Sequence, residues 1–175
     1  MSSPNPQEKR IHTKPDTGRL VDTASYWLMM IATYLIEGAL WYYPFKEKVF
    51  SDGMIAPAGI KHQFAGSLIA SFPGTSVAWG ILGVLEGLVV LGLAVSLVTG
   101  EFLPSRRKPI LLSSLMLSLG VFGLLIFGNS MTSQFDAVGG LFTYVAATGV
   151  LAFLVVSLPP YRSGSWLGDL VRRES

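Results

Sequence analysis

The sequence predicts an all-α integral membrane protein, an antiparallel four-helix transmembrane bundle with a short amphipathic helix in its first outer loop. Three observations carry that prediction. Half of the 175 residues are apolar. They gather in four stretches near the length of about 20 residues that a hydrocarbon core of roughly 30 Å requires. The basic residues, finally, are distributed unevenly between the two ends of those stretches.

Residues 1–24, with Pro4, Pro6 and Pro15 among charges, read as a flexible cytoplasmic tail. This polar lead argues against a cleavable signal, so the first span is expected to be retained. A transmembrane domain is expected over 25–158, with spans at 26–43, 77–98, 110–127 and 137–158; the third is the shortest and is expected to stand most upright. The first span opens on Tyr26 and Trp27 and closes on Trp41, Tyr42 and Tyr43, aromatic belts at both interfaces, after which Pro44 should end the helix. In the outer loop 44–76, Ile60, Phe64, Leu68 and Phe72 recur at helical spacing between Gly59 and Pro73, which predicts one short amphipathic helix starting at Lys61 and His62. It would lie on the outer leaflet or cap the bundle. Residues 159–175, with Trp166, Leu167 and Leu170 beside Arg172 and Arg173, suit a cytoplasmic interfacial tail.

Small residues predict close helix packing. Ser76, Gly80, Gly83, Gly87 and Ala94 fall on one stripe of the second span, and Gly139, Thr143 and Ala146 form a similar stripe on the fourth. The Gly83-x-x-x-Gly87 spacing is also where a homo-oligomer would form, although such spacings more often mark packing within a chain.

Orientation follows from the basic residues. Of the 13 lysines and arginines, three lie in the first loop (Lys46, Lys48 and Lys61), and the rest lie in the two tails and the Arg106–Lys108 turn. By the positive-inside rule both termini face the cytoplasm and the protein resides in the cell membrane.

The absence of cysteine excludes disulfides, thiolate metal sites and thiol redox chemistry carried by this chain. The two histidines, His12 and His62, lie outside the spans, so a bis-histidine haem within the bundle is excluded. No metal cluster, phosphate-binding loop or nucleophile triad is visible, catalytic residues are unknown, and nothing supports nucleic-acid binding.

The chemistry therefore centres on two carboxyls. Glu37 and Glu86 occupy near-identical settings, Leu35-Ile36-Glu37-Gly38 and Val84-Leu85-Glu86-Gly87, inside spans where a charged residue costs about 3 kcal/mol at the helix centre. Such residues mark functional sites by default, with interhelical hydrogen bonding as the plain structural alternative. At 1.5 Å per residue they lie about 9 and 13 Å below the outer ends of their spans, so facing helices would let them share one polar pocket and titrate as a pair. Carboxyls of this kind suit quinone contact or proton transfer. Tyr34 and Trp41, one turn to either side of Glu37, would add an aromatic face for a flat ring. Thr33, Thr143, Tyr144 or a backbone carbonyl are the expected partners if such a carboxyl only holds helices together. Asn129, Gln134 and Asp136 are expected to be solvated.

The run Trp79-Gly80-Ile81-Leu82-Gly83-Val84-Leu85-Glu86-Gly87-Leu88-Val89-Val90-Leu91-Gly92-Leu93, followed by a short basic turn and another apolar helix, resembles the DoxX/DoxD-like membrane superfamily. The resemblance covers roughly residues 26–158. It implies four helices, a long first outer loop and association with quinone-linked or other redox assemblies, and of that family's marks only Glu86 carries over. Many members end the first helix in Gly-x-x-Lys-Phe; here Gly38-Ala39-Leu40-Trp41-Tyr42 puts Trp41 at the lysine position.

The leading expectation is a membrane subunit of a respiratory or redox assembly, in contact with the lipid bilayer and other subunits and with quinone as the non-covalent ligand. It would not be an enzyme on its own. A small proton-coupled transporter is the alternative from a second class; the small multidrug resistance family also has a first-helix Glu, but has shorter loops and does not predict a second one. A structural or assembly factor is the third.

Overall fold

The computed structural model describes residues 17–158, with side chains from Thr23 onward. The expectations for the 159–175 tail and for most of the first tail lie outside them. Seven helical elements follow one another: α1 (Thr17–Lys46), a π-helical turn (Glu47–Ser51), α2 (Ala58–Gln63), α3 (Leu68–Ser71), α4 (Thr75–Val98), α5 (Pro109–Met131) and α6 (Phe135–Ser157). No strand occurs among the described residues.

Three helices, α4, α5 and α6, are long and apolar enough to cross a membrane. Together they point to a multi-pass membrane protein in a lipid bilayer. Their ends differ from the expected spans by a few residues. The third is not the shortest, because α5 and α6 both have 23 residues. α1 starts at Thr17, inside the segment expected to be tail.

The long helices pack in succession, α1 on α4, α4 on α5 and α5 on α6, and α1 also touches α6. Met30, Trp41, Val89, Leu93, Leu111, Leu115, Val121 and Phe122 form the shared core. Leu28 and Leu35 of α1, Leu88 and Leu91 of α4 and Phe153 of α6 are exposed outward. An apolar exterior around a partly polar interior is the distribution a bilayer favours.

Pro44 does not end the first helix. It lies within α1, and the chain continues to Lys46 before widening into the π turn, where the Asp52 N–H reaches the Glu47 carbonyl at 2.9 Å. Proline removes one N–H and crowds the preceding turn, yet it breaks a helix only where nothing else holds the chain. Here contacts with α4 hold it. A methyl added to Gly87 would come within 2.7 Å of the Phe45 ring, and one added to Gly83 within 3.3 Å of Lys48 Cβ. The glycine stripe of α4 thus receives the end of α1 and the π turn, so Gly83 and Gly87 make their close contacts within the chain.

The stripe on α6 behaves differently: Gly139, Thr143 and Ala146 are exposed, and a Cβ on Gly139 would meet nothing within 4 Å.

The single amphipathic helix expected in the first loop is two short ones. Gly66, at φ +80°, turns the chain between them, and Ser67 caps α3 by accepting from the Ala70 N–H at 3.4 Å. A left-handed residue cannot continue a right-handed helix, so helical spacing of apolar residues did not ensure continuity. Lys61 and His62 lie in the last turn of α2, both exposed.

Candidate functional site

Glu37 and Glu86 are both buried, at 0 % and 1 % exposure. They do not share a pocket, since each has its own partners on different helices.

Glu37 is a junction of three helices. Its Oε2 accepts from Trp41 Nε1 at 3.1 Å and from Ser118 Oγ at 3.0 Å, while Oε1 accepts from Thr148 Oγ1 at 2.7 Å. Trp41 also donates to the Ser118 hydroxyl, closing a ring of bonds between α1 and α5. The expected partners Thr143 and Tyr144 take no part, and Thr33 bonds instead to the Met29 carbonyl at 2.8 Å. Both carboxyl oxygens are thus engaged by the chain itself, an arrangement that fixes helix register.

Tyr34 and Trp41 do not form one aromatic wall. Trp41 turns inward to the Glu37 junction with its ring 4.7 Å from that of Phe122, whereas the Tyr34 hydroxyl pairs with Ser96 Oγ of α4 at 2.5 Å. About two turns earlier on α1, the Tyr26 hydroxyl donates to the Phe102 carbonyl at 2.8 Å. These two phenols fasten α1 to α4 and to the connection between α4 and α5.

Glu86 lies against the π turn. Lys48 Nζ is 3.0 Å from Glu86 Oε1, with both side chains almost fully buried. The ammonium also sits 4.4 Å from the centre of the Trp79 ring, a cation–π contact that shields its other side. Gly83 makes room for the lysine stem. The pair leaves two polar atoms of this cluster buried without a hydrogen-bond partner, Glu86 Oε2 and Trp79 Nε1; Asp52 Oδ2 nearby in sequence is a third such atom. Buried donors and acceptors are nearly always paired, so these atoms are exceptions within the cluster.

Trp79 also lines a cleft of about 380 Å³ between α2–α3 and the adjoining ends of α4 and α5. Its walls are mainly apolar, among them Ile60, Phe64, Leu82, Leu125 and Phe127. At its rim Gln63 Nε2 donates to Asn129 Oδ1 at 3.3 Å and to Thr132 Oγ1 at 3.1 Å, fastening α2 to the end of α5. Asn129, expected to be solvated, is therefore half-buried and bonded, whereas Gln134 and Asp136 are exposed as expected.

At the opposite end of the bundle, Glu101 accepts from the backbone N–H groups of Ile110 at 3.0 Å and Leu111 at 2.7 Å, capping α5. Lys108 beside it is buried against the Tyr26 ring, and that burial pushes its ammonium below the ordinary lysine range, with Glu101 opposing the shift.

Sequence reasoning singled out the two carboxyls and missed Lys48, Trp79, Ser118 and Thr148. By composition alone Lys48 is only a charge in the first loop. The usable signal was the absence of bulk at Gly83 and Gly87 beside an acid, which implies a neighbour that comes close. No group of three or more residues able to hold a metal ion occurs among the described residues. Comparison with protein-family models, with curated proteins and with solved structures finds no match to this chain.

Proposed function

We propose that the chain is a four-span, DoxX/DoxD-like membrane subunit of a respiratory or redox assembly that contacts quinone at the Lys48–Glu86 pair. Its place would be the cell membrane, with both termini cytoplasmic and α2–α3 on the outer side. The fourth span in this reading is α1, whose outward Leu28, Ile31 and Leu35 and inward Glu37 suit a helix between lipid and protein. The observation that carries the reading is the spare Glu86 oxygen beside a fixed ammonium inside an apolar bundle. Lysine N–H groups can donate to a quinone carbonyl, and Glu86 Oε2 can accept from a quinol hydroxyl. Electrons would come from a partner subunit. Glu37, held by three donors of its own chain, is assigned to positioning rather than ligand contact.

A second reading, a structural or assembly factor, draws on that same Glu37 junction, which engages both oxygens within the chain.

The test is the binding of a short-chain benzoquinone to purified protein in lipid nanodiscs, comparing wild type with Glu86→Gln and with the charge-free pair Lys48→Met with Glu86→Leu. Weaker binding in both variants is the expected result. Equal affinity in all three would remove the ion pair from ligand contact and leave the structural reading.

A further inference from the structure

We propose that the cavity where the α4–α5 connection meets the end of α6 is a site for the headgroup of an anionic phospholipid, whose phosphate pairs with the Arg107 guanidinium. The inference rests on the placement of the helices in a bilayer and is independent of the redox reading.

The backbone at the start of α5 has no free donor for an anion. Pro109 opens the helix and lacks an N–H, the Ile110 and Leu111 N–H groups donate to Glu101, and the Leu112 N–H returns to the Lys108 carbonyl at 3.0 Å. A negative group arriving here must therefore be held by side chains. Lys108 is already committed: its Nζ donates to the Arg106 carbonyl at 3.2 Å and lies 5.4 Å from the centre of the Tyr26 ring. Arg107 differs, because it lines the cavity, is exposed and has no ion-pair partner among the described residues. Arg106 beside it is exposed too and adds to the positive potential. A guanidinium can grip two phosphate oxygens at once.

The rest of the cavity selects a lipid over a free phosphate. Its volume is about 220 Å³, and its walls include Leu112 of α5, Val155 and Val156 of α6 and Leu158. One turn further along each helix Met116 and Phe153 are exposed, so the apolar surface continues down the flanks of α5 and α6. A cation above apolar walls at the end of membrane helices matches the order in which a phospholipid presents its phosphate and its chains. Basic pockets between membrane helices take anionic headgroups for this reason. A zwitterionic headgroup brings its own ammonium and gains less beside two arginines.

The experiment is native mass spectrometry of the full-length protein in detergent, titrated with dioleoylphosphatidylglycerol or dioleoylphosphatidylcholine. Wild type should prefer the first phosphatidylglycerol by roughly 5-fold, the value of one basic residue beside an anionic headgroup. Arg107→Gln should remove most of that preference and leave phosphatidylcholine binding unchanged. Lys61→Gln alters an exposed lysine at the opposite end and should leave the preference intact. Val156→Trp, which fills the cavity from an exposed position, should weaken phosphatidylglycerol binding. A preference that survives Arg107→Gln, or one that Lys61→Gln lowers equally, would overturn the proposal. Displacement of the lipid by inorganic phosphate would overturn it as well, since the site would then recognise the free anion. Benzoquinone binding should be the same in wild type and Arg107→Gln, so this proposal and the ion-pair reading fail separately.

Discussion

Lys48 reaches out of a π-helical turn to place its Nζ 3.0 Å from Glu86 Oε1 on α4, inside a cluster with almost no exposed surface. Two opposite charges in such surroundings depend on each other. Removing one leaves the other uncompensated, at a cost of about 3–5 kcal/mol, whereas replacing both with apolar groups is often tolerated. Lys48→Met alone should therefore lower stability severely, and Lys48→Met with Glu86→Leu should recover most of the loss. Thermal unfolding of the single and double variants in detergent checks this; a double variant as unstable as the sum of its parts would contradict it.

The Glu37 junction joins its members into one unit. Ser118→Ala and Thr148→Val should each cost about 1 kcal/mol, as is typical of interhelical hydrogen bonds in membranes. Their combined effect should differ from the sum, because both hydroxyls serve one carboxyl. A double-mutant cycle measures the difference, and strict additivity would speak against a shared junction.

Close approach at Gly87 sets a steric limit. Gly87→Ala brings a methyl to 2.7 Å from the Phe45 ring and should cost about 1–3 kcal/mol through overpacking. Pairing it with Phe45→Leu should restore stability, which unfolding midpoints of the two variants would reveal.

The Gln63 bonds to Asn129 and Thr132 fasten α2 over the cleft. Gln63→Ala should speed amide hydrogen exchange in α2 while leaving α4 and α5 unchanged, since only local opening is affected. Uniform exchange across all helices would instead indicate a global loss of stability.

Alkaline pH should act through Lys108. Its folded-state affinity for a proton is lowered by burial, so the unfolded chain holds that proton more tightly. Stability should rise as pH climbs from the lowered folded value towards the ordinary lysine value of about 10.4. Lys108→Met should abolish this increment, as pH-dependent melts of the two proteins would show.

The apolar helices were legible in the sequence because hydropathy depends on composition, and α4, α5 and α6 lie within a few residues of the stretches it marks. Burial of Glu37 and Glu86 was legible for the same reason. Their partners were not. Serines and threonines in membrane helices look alike in sequence whether they bond to their own backbone, as Ser114 does to Ile110, or across helices, as Ser118 does. Lys48 was hidden for another reason: Pro44 signalled a stop, and nothing in local composition announces a π turn, which exists because α4 offers Gly83, Gly87 and Glu86 to receive it. The two-helix form of the loop turned on Gly66, whose positive φ outweighed the periodicity of the residues around it.

A π turn is an α-helix that has accommodated an extra residue, and such turns recur at functional sites. In this chain that residue decides which side chains face α4. Deleting one position between Phe45 and Ser51 would remove that extra residue and let the segment relax to α-helical winding, so that Lys48 would lose the widened backbone that carries it to Glu86. Chain length at the turn is thus part of what holds the ion pair.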